Sequence, residues 1–179
     1  LNNIAAAAGV VTATLAADST ANLLNLATAS TDLIALSVDD TPSIANLNTI
    51  AGKTGGVVTA TLAADSLSNL GALTTAGTDL ITVSVNDANN ANRDATDLSA
   101  LGGKTGGTVT VSNAINISGT TSEVKAALVD TATKVVAASA TVSISDNPSI
   151  TNLNLIAAEA GVVTATLAAD SLSNLGSLT

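Results

Sequence analysis

Apolar positions along this chain change their spacing at regular intervals. In one kind of stretch they fall three apart, as at Ile44, Leu47 and Ile50 or at Leu67, Leu70 and Leu73. In the stretch that follows they alternate with hydroxyl residues: Val58, Ala60 and Leu62 against Thr59 and Thr61, then Ile81, Val83 and Val85 against Thr82 and Ser84. The first spacing predicts two turns of α or 3₁₀ helix with one apolar edge, and the second predicts a β-strand. The helix starts carry their own mark. A Ser, Thr or Asp with an Asn, Asp or Glu three residues later begins at Ser19, Ser43, Ser66, Asp94, Thr120, Ser149 and Ser171. Such a pair satisfies the orphan N–H groups of a first turn, and Thr120 with Glu123 fits the capping box in full.

The alternation recurs as a repeat. Residues 43–62 align without a gap on residues 66–85, an offset of 23, and the unit varies from 22 to 29 residues through insertions such as 86–93 and the stretch around 129–139. A longer period lies above it: residues 56–74 match residues 161–179 except at Ala72 and Ser177, an offset of 105, and GVVTATLAAD also occurs at 9–18. Fixed-period self-similarity marks an array. A short helix followed by a strand, with connections too short for a hairpin, forces successive strands to lie parallel. The expected fold is a right-handed β/α solenoid of stacked coils of about 23 residues, each a short helix plus one strand, forming one long parallel β-sheet. Residues 1–179 then form a single solenoid segment of a longer array. The alternative is a tandem of small βαβα or β-sandwich domains.

Composition narrows the chemistry. The chain has 35 Ala, 27 Thr, 18 Ser, 17 Asn and 13 Gly, and no Phe, Tyr, Trp, Met, Cys or His. That removes imidazole proton transfer, thiol nucleophiles, soft metal ligands and stacking platforms. Carboxylates alone can run glycoside hydrolysis, but such sites sit in clefts with aromatic platforms. The chain is therefore expected not to be an enzyme. Its net charge of −9, with five scattered cations, makes nucleic acid and anionic membranes poor partners. No apolar run approaches the roughly 18 to 20 residues that span a bilayer, so no membrane insertion is expected. The start at Leu1 and the stop inside a repeat read as a segment of something longer.

Two surfaces remain as candidates. On the face of the sheet away from the core, one rank of small residues would run Thr12, Ala35, Thr59, Thr82, Thr110, Thr141, Thr164, and another Thr14, Ser37, Thr61, Ser84, Ser112, Ser143, Thr166. Strands at about 4.7 to 4.9 Å would make these a flat hydroxyl lattice. The Thr-Ala-Thr triplets at 12–14, 59–61 and 164–166 resemble the ice-binding faces of some antifreeze proteins, although Ala35 and the Ser residues depart from that pattern. The plain alternative is that Thr and Ser are ordinary strand formers on a polar face. The second surface is an edge of acidic turns, where Asp40, Asp87, Asp94, Asp97 and Asp146 are candidate calcium ligands, best placed in the insertion NDANNANRDATD. No EF-hand loop or calcium β-roll nonapeptide is present, and the plain alternative is that these Asp residues close turns and cap helices. No cofactor is expected, calcium being the one alternative. GKTGG at 52–56 and 103–107 lacks the first Gly of a Walker loop and runs from helix to strand, so its Gly reads as a helix C-cap. Pro42 and Pro148 read as turn-setters before N-cap Ser residues.

The phrases LNTIAGKTGG, GVVTATLAAD, DLITVSVND and SGTTSEVKAAL resemble the Ala/Thr/Ser/Asp-rich repeats of giant extracellular proteins of cyanobacteria and other aquatic bacteria, often described as adhesin-like or haemolysin-type. The resemblance spans essentially the whole chain and implies an extracellular or cell-surface location and a mechanical or adhesive role. The function expected is a structural repeat segment of a bacterial filament, sheath or surface adhesin, assembling by strand-to-strand stacking with copies of itself or neighbouring repeats. A binding module for ice, polysaccharide or calcium, with a glycan or a surface as partner, is the alternative.

Overall fold

The computed structural model describes residues 1–7 and 9–179 and is an α/β fold of alternating helices and parallel strands. In chain order the elements are α1 (Asn2–Ala7), β1 (Thr12–Thr14), α2 (Thr20–Leu23), β2 (Leu33–Ser37), α3 (Ile44–Ala51), β3 (Val58–Thr61), α4 (Leu67–Leu70) and β4 (Leu80–Val85). There follow β5 (Asn92–Asp94), α5 (Ala95–Gly102), β6 (Val109–Val111), β7 (Asn116–Gly119), α6 (Thr121–Leu128), β8 (Ala137–Ile144), α7 (Ile150–Ala157), β9 (Ala160–Thr164) and α8 (Leu172–Leu175). All seven expected N-caps hold that position. Six of them accept the N3 amide on the side-chain oxygen, and Thr120 with Glu123 forms the reciprocal box. Asp94 stands at the cap of α5 without a side-chain capping bond.

Helix length varies, which the 23-residue register does not reveal, and α5, α6 and α7 are each eight residues long. The eight-residue α3 is followed by the four-residue α4, and the eight-residue α7 by the four-residue α8. Asn2, Asn48 and Asn154 hold the same place in the recurring phrase Leu-Asn-x-Ile-Ala, 46 and 106 residues apart (48 − 2 and 154 − 48).

The chain divides into two compact units. The first comprises Leu1–Ala64, Ala72–Val83 and Lys104–Thr108. Here β1, β2, β3 and the start of β4 lie parallel in chain order, and Leu23, Ile34, Leu47, Ile50, Leu73 and Ile81 are fully buried. The second comprises Asp65–Gly71, Ser84–Gly103 and Val109–Thr179. Its strands pair in parallel in the order β5-β7-β8-β9 around Leu98, Leu101, Ile115, Ile117 and Leu128. Each such side chain contributes roughly 1.5–3 kcal/mol by leaving water. Small aliphatic residues fill both cores, as a chain without rings requires.

The expectation of one long sheet is corrected. The strands β5, β7, β8 and β9 make one parallel sheet and β1, β2, β3, β4 and β6 another, and neither closes into a barrel. The insertion 86–93 is the reason: after a turn at Asn90, the only non-Gly residue with positive φ among the described residues (63°), it supplies β5. Asn tolerates that left-handed conformation better than most residues. The segment after β6 then pairs with β5 as β7, so Thr141 lies opposite Asn116, whereas Thr110 bridges Val136.

Candidate functional site

The polar residues that recur through the repeat converge where one helix–strand unit meets the next. The Thr-Asp-Leu triplets at 31–33 and 78–80 open β2 and β4. Val11 N–H donates to Asp32 Oδ1 at 2.9 Å and Ala29 N–H to Oδ2 at 2.9 Å, so one buried carboxylate closes its own turn and holds the preceding strand. Asp79 repeats this with Val58 N–H at 2.8 Å and Ala76 N–H at 2.9 Å. The Ala29 and Val11 amides keep the Asp32 carboxyl below its ordinary range, because both bonds favour the charged form.

GKTGG is a second fastener. Buried Thr54 accepts Ile34 N–H at 2.9 Å and Gly56 N–H at 2.8 Å, and its own proton lies between the carbonyls of Ile34 (2.7 Å) and Asp32 (3.0 Å). Thr105 makes the same set with Ile81, Gly107 and Asp79. The glycines after each Thr are there for space: a Cβ on Gly56 would stand 2.5 Å from the Ile34 carbonyl oxygen, and one on Gly107 would meet that of Ile81. Gly52 and Gly103 are helix C-caps, as expected, with φ of −66° and −68°. Pro42 and Pro148 are buried and stand directly before the caps Ser43 and Ser149.

A third fastener is the Asn clamp. Asn48 Nδ2 donates to Ala72 O at 2.9 Å while its Oδ1 accepts Thr74 N–H at 2.8 Å. Asn2 binds Asn25 O and Ala27 N–H in the same way, and Asn154 binds Ser177 O and Thr179 N–H.

Most of the carboxylates proposed as calcium ligands have separate structural partners. Asp40 accepts the N–H of Thr20, the first residue of α2, at 3.1 Å, and also its hydroxyl. Asp87 accepts Leu67 N–H at the start of α4 at 3.0 Å and pairs with Arg93. Asp146 accepts Thr121 N–H (2.7 Å) and Oγ1–H (2.6 Å) at the start of α6. The Arg93 guanidinium beside Asp87, and the Thr121 hydroxyl on Asp146, lower those carboxyls from their usual range. Ser118 Oγ lies 3.3 Å from Asp94, and Asp97 sits exposed in the first turn of α5. Among the described residues no three carboxylates come together as a metal cluster. Asp18, Asp65 and Asp170 each accept the N–H of the following N-cap Ser and the amide of the Asn four residues on, which lowers Asp18 further.

The hydroxyl face is present but its ranks are corrected. Thr12, Thr14, Thr59, Thr61, Thr82, Ser112 and Thr164 are exposed, Ser84 and Thr110 are half-buried, and Thr166 is exposed beyond the end of β9. Thr14, not Thr12, lies opposite Ala35; Thr59 faces Leu80, and Thr61 faces Thr82. Further on, Ser143 pairs with Thr164 and Thr141 with Val162. The slip of two residues interleaves Leu33 and Leu80, 51% and 48% exposed, with the hydroxyls. Ser84 Oγ and Ser112 Oγ meet at 2.8 Å.

The fastening residues Asp32, Asp79, Thr54, Thr105 and Asn48 are the ones sequence reading left unassigned. Their signal was the recurrence of Ala-x-Thr-Asp-Leu-Ile at 29–34 and 76–81 and of GKTGG, since the bare triplet Thr-Asp-Leu also occurs at 96–98 within α5. No protein-family model, curated protein or solved structure matches the chain. No helix among the described residues is long and apolar enough to cross a membrane.

Proposed function

We propose that this chain is a structural repeat segment, a piece of a bacterial extracellular filament, sheath or surface adhesin that extends by adding strand to strand in a β/α solenoid. One observation carries the reading: the recurrent polar side chains fasten each helix–strand unit to the next. Asp32, Asp79, Thr54, Thr105, Asn48 and Asn154 all reach a residue 20 to 26 positions away. Stacked units of this kind bury apolar faces that no unit could cover alone, and stability then adds along the array. The extracellular location rests on the resemblance of the repeat phrasing, and so does the adhesive role.

The test is imaging and fibre diffraction of the native material. Filaments with a meridional spacing of about 4.7 to 4.8 Å are expected, since strands would stack along the axis. Isolated, monodisperse particles at every concentration would count against the reading.

A further inference from the structure

Three copies of one sequence stand in this chain, at 9–18, 56–65 and 161–170, and the last two continue alike to 74 and 179. Two of the three are met in the same way. The strand of the first takes Asp32 on Val11 N–H, and the helix start after it takes Asp40 on Thr20 N–H. The second takes Asp79 on Val58 N–H and Asp87 on Leu67 N–H, and Leu62 N–H continues the ladder to Thr82 O at 3.0 Å. The segments that supply these groups, 29–40 and 76–87, share eight of twelve residues, among them Thr-Asp-Leu-Ile and the closing Asp.

The third copy keeps the local structure of the second. Ser171 caps α8 as Ser66 caps α4, and Asp170 holds Ser171 and Asn174 as Asp65 holds Ser66 and Asn69. What differs is the next layer. The strand β9 is the last of its ladder, and among the described residues no carboxylate stands at the Val163 or Leu172 amide. Leu67 is 4% exposed whereas its counterpart Leu172 is 87%, and Leu73 is 0% whereas Leu178 is 41%. Near-identical residues are thus seen once buried and once bare, and the segment that bonds the backbone of the buried copy is known.

We infer that residues 161–179 are a docking surface for one occupant, a parallel β-strand of the Thr-Asp-Leu type with a second Asp eight residues after the first, of which residues 76–87 are the internal example. The inference deepens the stacking reading, on which it rests, by naming the partner's chemistry. The occupant's first Asp would take Val163 N–H, its strand would pair along β9, and its second Asp would take Leu172 N–H beside the exposed Leu172 side chain.

The test adds a synthetic peptide of residues 75–91 to the chain of residues 1–179 and follows amide hydrogen exchange and binding. Slowed exchange at Val163, Leu167 and Leu172 is expected, with affinity falling at least tenfold for a peptide carrying D79N and D87N, and at least tenfold for the chain variant Leu172→Asp. Because Leu172 is so exposed, that variant keeps its fold. No binding at millimolar peptide, or binding indifferent to all three changes, overturns the inference. So does self-association in which Thr12–Thr14 and residues 161–179 gain protection together and the peptide does not compete. Peptide binding without filaments would sink the filament reading alone, and filaments whose 161–179 amides stay unprotected would sink the docking surface alone.

Discussion

Thr105 shows how a small side chain can hold two strands. Its hydroxyl accepts two backbone N–H groups and meets two carbonyls in a buried position, so no solvent can replace it. Thr105→Val keeps the shape and leaves Ile81 and Gly107 N–H unsatisfied; a loss of about 1–3 kcal/mol is expected in urea unfolding. Thr105→Ser should recover much of it, and equal losses for the two variants would show that the hydroxyl is not the cause. Gly107→Ala places a methyl on the Ile81 carbonyl, and a loss of roughly 1–3 kcal/mol or more is expected by the same measurement. These roles were hard to read in the sequence because a Thr-Gly-Gly triplet looks like any turn; only its recurrence distinguished it.

At the level of elements, the helix starts are held by carboxylates from another unit as well as by their own caps. Asp32, Asp87 and Asp146 have folded-state pKa values lowered by the bonds that place them. The unfolded chain therefore binds more protons in acid. Their contribution is fully present above the unfolded value near 4 and is lost as pH falls through the lower folded values. A melting temperature that is flat from pH 8 to about 5 and drops below about 4 is expected, with a shallower drop for Asp87→Asn. A melting temperature that rises in acid would refute the assignment. The caps themselves were legible, because Ser-x-x-Asn is a local signal; their remote carboxylate partners, 20 to 25 residues on, were not. Strand faces were legible for the same local reason. Strand register was not: a shift of two residues keeps every side chain on its face, so periodicity cannot separate the alternatives. The bond from Asp79 to Val58 N–H, set by the third dimension, decides between them. The strand β5 escaped notice because Asn-Arg-Asp has little strand propensity and pairs only through its partner β7.

Across the whole molecule, burial is uneven. The helices α1 and α8 have no buried residue, whereas α5 buries Ala95, Leu98, Leu101 and Gly102. Amide exchange is expected to be fastest in residues 1–7 and 165–179 and slowest in α5, since local opening follows the apolar contacts that must be given up. Uniform protection along the chain would contradict that gradient.

The Asn clamp and the Asp and Thr fasteners each span little more than one helix–strand unit, and none binds a residue two units away. The duplication of residues 56–74 at 161–179 fits such wiring, because a gene can gain or lose the intervening block of four helix–strand units by recombination between near-identical stretches and leave every remaining fastener with its partner. Length is then a heritable quantity that changes in steps, and the steps do not require a new fold.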